Sequence, residues 1–364
     1  MKLWRLLCLI LFLPATAFAQ CATGHTAVPV CQLNGVTNTL EHGGRLTLVS
    51  GGPVMVGNTA SATTLYYAPY GSPSIALYDG TNTKNYPFTS GPTDSVGLTL
   101  ATFGSGWSAS STYDVFVTLS GGVPVLCTGP TWTDQNTRTA AGSLGIHDGQ
   151  YVNSNASSMV CRTSNSATIS APQYQATYIG TIATDASGLL DFTPQHSTCT
   201  NTSCGPAYLN VWNNYNRRNA YAYVFDNTVF PGLQYSGTTI RTAGANTNNR
   251  IYYVVGQVED TCTGYYQAFD KIISSGGHTI SGFWLNAANN PSATKEYISN
   301  SPIYADASSG GQFSGVSTSF FKSACFPIGL DYEEALENSD GVTTGGGNYF
   351  GYFGQQVLEF VYPM

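Results

Sequence analysis

The chain has 364 residues, with 13 Lys and Arg against 20 Asp and Glu, only 9% charged residues, and 40 Gly, 24 Tyr and 17 Phe. A net charge of −7 argues against nucleic acid as a partner, because phosphate neutralisation needs clustered cations and the only adjacent basic pair is Arg217-Arg218. Abundant aromatics with few charges also exclude a disordered chain.

In chain order, the first element is an export signal. Lys2 and Arg5 precede an apolar run from Leu6 to Leu13, Pro14 ends it, and Ala17-Phe18-Ala19 supplies the small-x-small step of a signal peptidase site. The run is about half of the ~20 residues needed to span a bilayer, so residues 1–19 read as a signal cleaved near Ala19, with no membrane insertion afterwards. The expected location is extracellular or surface-displayed.

Export changes the meaning of the cysteines. Cys8 leaves with the signal, and Cys21, Cys31, Cys127, Cys161, Cys199, Cys204, Cys262 and Cys325 remain, an even set for an oxidising compartment. Chain proximity favours Cys21 with Cys31 and Cys199 with Cys204, which leaves Cys127 with Cys161 and Cys262 with Cys325. Spacing alone does not fix the connectivity. No CxxC occurs and no His lies at ligand spacing from a Cys pair, so no metal is expected.

Period-two alternation then runs through the chain. Arg45 to Val49, Thr64 to Ala68, Tyr113 to Leu119, Tyr178 to Ala183, Ala220 to Phe225, Arg250 to Val258 and Gln356 to Tyr362 all read as strands rich in β-branched and aromatic residues. Turn signals fall between them at Asp79-Gly80, Gly121-Gly122, Asp148-Gly149, Gly276-Gly277 and Gly345-Gly346-Gly347. Leu330 to Glu337 is ambiguous and is read as a strand with Glu334 near a sheet edge. The expected fold is all-β, with two antiparallel β-sandwich or jelly-roll domains stapled by disulfides. After the signal, residues 20–140 form the first domain, 141–170 an irregular connection, and 171–364 the second domain.

Catalytic chemistry has little support in this pattern. The adjacent acidic pairs Glu259-Asp260 and Glu333-Glu334 would point to opposite faces of a strand and could not flank one bond. The five histidines are dispersed, no Gly-x-Ser-x-Gly elbow occurs, and Gly345-Gly346-Gly347 lacks the Lys and Ser/Thr of a phosphate loop. His147-Asp148-Gly149 reads as a turn. No catalytic, cofactor-binding or metal residues are therefore assigned, and no cofactor is expected. Binding is better supported, since Tyr and Trp combine a large contact area with a polar handle. Trp107, Tyr332, Tyr349, Phe350, Tyr352 and Phe353 are the candidate ligand-contact aromatics.

One resemblance runs through the chain. The series is Gly44-Arg45-Leu46-Thr47-Leu48, Thr64-Leu65-Tyr66-Tyr67-Ala68-Pro69-Tyr70, Ile75-Ala76-Leu77-Tyr78-Asp79-Gly80, Tyr113-Asp114-Val115-Phe116, Trp132-Thr133-Asp134-Gln135-Asn136-Thr137-Arg138, Tyr178-Ile179-Gly180-Thr181-Ile182, Val211-Trp212-Asn213-Asn214-Tyr215-Asn216-Arg217 and Tyr253-Val254-Val255-Gly256-Gln257-Val258-Glu259-Asp260. In this order it resembles tail-fibre or virion-appendage structural proteins of tailed phages and prophages, over roughly residues 40 to 300. The resemblance implies a non-enzymatic β-rich module on a particle or surface, with host attachment or decoration as its role. The signal and the cysteines depart from that pattern. The expected partner is a cell-surface glycan or protein, and a homo-oligomer is compatible with the role. The alternatives are a secreted β-sandwich carbohydrate-active enzyme and a self-associating component with no ligand.

Overall fold

The computed structural model describes residues 39–196, 205–226, 233–235, 238–243, 247–258, 261–272, 278–287, 299–304, 313–324, 328–339, 348–350 and 356–364. The chain divides into Met1–Glu41 and a body, His42–Met364. The signal-like segment, Cys21, Cys31, Cys199, Cys204 and Cys325 lie outside the described residues.

The body is all β, as the alternation requires. Each strongly alternating segment is a strand, among them Gly44–Thr47, Thr64–Pro69, Thr112–Ser120, Ala176–Ala183, Asn219–Asp226, Arg250–Val255 and Gln356–Pro363. Gly121-Gly122 and Asp148-Gly149 each close a hairpin with both central residues at positive φ (59° and 83°, 49° and 79°). That left-handed pair matches the twist of the flanking strands, which is why Gly and Asp-Gly sit there.

The first large sheet is eight-stranded and built around Thr112–Ser120 and Ala176–Ala183, which pair antiparallel. All eight residues of Ala176–Ala183 are buried, so this strand is covered on both faces. Residues 141–170, expected as an irregular connection, instead contribute the strands Leu144–His147, Gln150–Asn153, Met159–Arg162 and part of Thr168–Ala171 to this sheet. Their polar composition reflects short strands held by neighbours rather than by their own hydrophobicity.

Two further sheets face one another. One runs through Leu190–Thr193, Ala207–Leu209, Arg250–Val255, Gly329–Ser339 and His278–Ala287, and the other through Asn219–Asp226, Gln356–Pro363 and Thr261–Ile272. Their inner faces meet where Tyr253 packs on Phe360 and Tyr362, with ring centroids 4.6 and 5.6 Å apart. Gly329–Ser339 is a strand, but an internal one, between Arg250–Val255 and His278–Ala287. The expectation that Glu334 lies near a sheet edge is therefore corrected. Its carboxylate is fully buried and accepts hydrogen bonds from Arg250 Nε and Nη2 at 2.8 and 2.6 Å and from Thr242 Oγ1 at 2.6 Å.

Two arginines tie distant parts of the chain together. Arg138 donates from Nε and Nη2 to the two oxygens of Asp114 (2.7 and 3.2 Å) and from Nη2 to the Gly256 carbonyl (2.6 Å), with its guanidinium over the Trp132 ring. Thr181 Oγ1 donates to the same Asp114 carboxylate at 2.7 Å. A Cβ at Gly256 would stand 2.1 Å from the Tyr178 hydroxyl, which explains a glycine at this junction. Arg45 donates to the carbonyls of Pro53, Asn216 and Met364. One connected cluster of buried apolar residues includes Leu46, Phe116, Trp212, Tyr253 and Phe360.

Cys127 and Cys161 form a disulfide between neighbouring strands, the pairing expected from the sequence, and Cys262 is also disulfide-bonded. Replacing both Cys127 and Cys161 by Ala is expected to lower the unfolding free energy by roughly 2–4 kcal/mol, through the freed 34-residue span of the unfolded chain. Urea titration of the double variant beside the parent chain measures it, and coincident curves would overturn it.

Candidate functional site

The sequence-expected aromatics fall in different places. Trp107 is 4% exposed, stacks on Phe103 with centroids 4.2 Å apart, and donates its indole N–H to Thr128 Oγ1 at 2.9 Å. It is a core residue, and its expected role as a surface contact is corrected. Tyr332 is also buried. Tyr349 and Phe350 lie on the strand Asn348–Phe350, opposite Gln234 and Leu233. Tyr352 and Phe353 lie outside the described residues.

The structure assembles a different aromatic face, on the outer side of the sheet that carries Asn219–Asp226. In that strand Ala220, Ala222 and Val224 alternate with Tyr221, Tyr223 and Phe225. Across the register, Ala222 pairs with Phe360 and Ala220 with Tyr362, so small inward residues oppose large ones and the interior fills without bringing the tyrosines in. Tyr221, Tyr223 and Phe225 are left on the outer face, and Tyr221 is 46% exposed.

Glu359 stands at the centre of this face, paired in register with Tyr223 on one side and Tyr265 on the other. With Val357 and the three aromatic residues it lines an open groove of about 340 Å³. The Tyr221 and Tyr223 rings are 5.9 Å apart and tilted by 42°, so neither covers the face of the other. Burial first, and then the hydrogen bond to Glu359 and its charge, push the Tyr221 hydroxyl well above the usual tyrosine range. Tyr265 donates its hydroxyl to Gln267 Oε1 at 3.3 Å. At the nearby sheet edge, the Gln195 backbone is bound on both polar groups by the Asn58 side chain, which blocks further strand addition there.

A second aromatic row crosses the other sheet of the sandwich. Tyr208, Tyr252 and Tyr332 lie on three adjacent strands in one register. Tyr208 and Tyr252 stack on each other at 5.1 Å and 13°, and the Arg250 guanidinium sits 4.5 Å from the Tyr332 ring centre. These ring faces are already occupied, which makes this row a cross-strand brace.

Carboxylates are placed unevenly. Glu333 and Glu334 point to opposite faces of their strand, as neighbours must, and both are sealed from solvent. Glu259 and Asp260 lie outside the described residues. His147 is held between Tyr78 and Tyr174, with ring centroids 4.4 and 4.7 Å away, at the base of the Asp148-Gly149 turn. Among the described residues no group of three or more His, Cys, Asp or Glu side chains is arranged to hold a metal ion.

No family model matches the chain, and no curated protein matches it. Among solved structures, a Bacillus thuringiensis Cry1Da tryptic core variant is 12% identical, with a TM-score of 0.18, over 85% of this chain and 50% of that one. A structure of the infectious bursal disease virus Gx strain is 11% identical, with a TM-score of 0.15, over 89% and 75%. The chain thus spans about half the length of the Cry1Da chain it is compared with.

Proposed function

We propose that this is an exported, non-catalytic, phage-fibre-like surface or particle component that binds a cell-surface glycan through the Tyr221–Tyr223–Phe225 face. The observation that carries the reading is the arrangement of that face: a row of aromatic rings beside one carboxylate, with Tyr221 exposed and Tyr223 and Phe225 half-buried. Aromatic faces stack on the flat, partly apolar faces of sugar rings, while carboxylate and amide groups bind the hydroxyls at their rims. Export rests on the Lys2-to-Ala19 pattern, and display on a particle rests on the motif series between Gly44 and Asp260.

The experiment is retention on a panel of surface polysaccharides, read for the parent chain and for Tyr223→Ala. The substitution is expected to weaken retention tenfold or more, about 1.4 kcal/mol, without moving the thermal midpoint. Unchanged retention in the variant would remove this face from the reading. Shortening of a bound polysaccharide during incubation would overturn its non-catalytic part.

A further inference from the structure

We infer that the ligand of this face is a neutral, linear polysaccharide lying along the Asn219–Asp226 strand and bound at internal sugar units. The inference rests on the glycan-binding reading and narrows it.

Linearity follows from the strand. Residues at every second position repeat at about 6.6 Å in an extended backbone, so Tyr221, Tyr223 and Phe225 form a straight row rather than a ring around one sugar. The 5.9 Å between the first two ring centres is a step close to one pyranose unit. A chain with a flat ribbon conformation matches such a row along its length, and each added unit meets another ring until the row is filled.

Recognition of internal units follows from the shape of the groove. Its lining comes from the outer face of two adjacent strands, Asn219–Asp226 and Gln356–Pro363. The described lining residues all lie on these two strands, and none of them comes from a loop. A site for a terminal sugar would need side chains converging from loops around one ring.

Neutrality follows from charge. Among the described lining residues Glu359 is the charged group, and no Arg or Lys lines the groove. A carboxylated or sulfated polymer would bring like charge against this carboxylate, on a chain of net charge −7. A carboxylate has more acceptor sites than the one that Tyr221 uses at Glu359, and sugar hydroxyls are donors that suit them. The Gln267 amide, two residues from Tyr265 on the next strand, adds donors for sugar oxygens.

The test uses the full chain and a size series of neutral β-linked oligosaccharides, alongside the anionic polymers alginate, pectate and hyaluronate. Titration calorimetry should show affinity climbing over the first few sugar units and then levelling, with little change as salt is raised. Tyr221→Ala and Tyr223→Ala should each cost tenfold or more, while Ile146→Ser, exposed on a distant hairpin, changes nothing. Glu359→Gln should weaken neutral binding less than the tyrosine variants and admit anionic polymers more readily than the parent chain does. Preference for an anionic polymer, with steep loss of affinity in salt, would overturn the inference while leaving glycan binding standing. So would a monosaccharide that binds as well as a long chain. Binding to no polysaccharide at all would overturn both this inference and the reading beneath it.

Discussion

Replacing Arg138 by methionine is expected to lower the unfolding free energy by about 3–5 kcal/mol, because it strands the buried Asp114 carboxylate. Methionine keeps the apolar stem of the side chain and removes the charge. Asp114 is 2% exposed and would retain only the Thr181 hydroxyl from its present side-chain partners. The loss also frees the Gly256 carbonyl, so the first large sheet loses a direct tie to the turn that follows Arg250–Val255. Two controls separate charge from packing. Asp114→Asn alone removes the charge that Arg138 balances, and Asp114→Asn with Arg138→Met removes both charges together. The double variant should be less destabilised than the sum of the single ones, since the remaining damage is an unfilled hydrogen bond rather than a buried charge. Additive losses in urea denaturation would show that the two side chains act independently.

The second large effect is a stability that falls with pH, and it originates at Glu333. This side chain is fully buried, neither carboxyl oxygen has a hydrogen-bond partner among the described residues, and it lies near the buried Tyr253 hydroxyl. Burial raises its carboxyl well above the ordinary 4.5. The folded chain therefore holds a proton that the unfolded chain has released over the interval between 4.5 and the raised value. The stabilising balance is complete below the unfolded value and is lost as pH rises towards the folded one. For a single proton the slope reaches about 1.4 kcal/mol per pH unit. Glu333→Gln carries no ionisable group, so the variant should lose this slope and exceed the parent in stability at neutral pH. Denaturation midpoints across a pH series test the difference. Parallel profiles for parent and variant would mean that Glu333 is not held as the neutral acid.

The strands were legible because their side chains alternate, and the tight turns because Gly121-Gly122 and Asp148-Gly149 supply the positive φ that two-residue hairpins require. Which face of a strand turns inward was less legible. Ala-Tyr-Ala-Tyr-Val-Phe at 220–225 looks, taken alone, like a strand that buries its tyrosines. The opposite occurs because Phe360 and Tyr362, almost 140 positions later, fill the space above the alanines. The interior position of Glu334 has the same origin, since its partner Arg250 lies 84 residues earlier. Trp107 misled for a related reason. Its neighbours Gly104, Ser105, Gly106 and Ser108 have the composition of an exposed loop, yet Phe103 and Thr128 draw the indole inward. Residues 141–170 escaped recognition because their short strands are stabilised by pairing with Val123–Thr131 and Ala176–Ala183.

The carbonyl contacts of Arg45 bear on the order of events when the chain folds. This residue sits in the first described strand of the body, and its guanidinium is held by Asn216, 171 positions on, and by Met364, 319 positions on. The Thr59–Ala62 strand likewise finds its neighbour only at Leu190–Thr193. Contacts of such sequence separation carry a large loop-closure cost before they contribute anything, which places the chain among slow folders, on the millisecond-to-second scale or beyond. Gly44–Thr47 can pair locally with Thr64–Pro69, but the Arg45 guanidinium and the Thr59–Ala62 strand find their partners only when those distant segments dock. A chain with that delay keeps some strand edges open for longer than a locally paired one does, and is correspondingly exposed to aggregation while it folds.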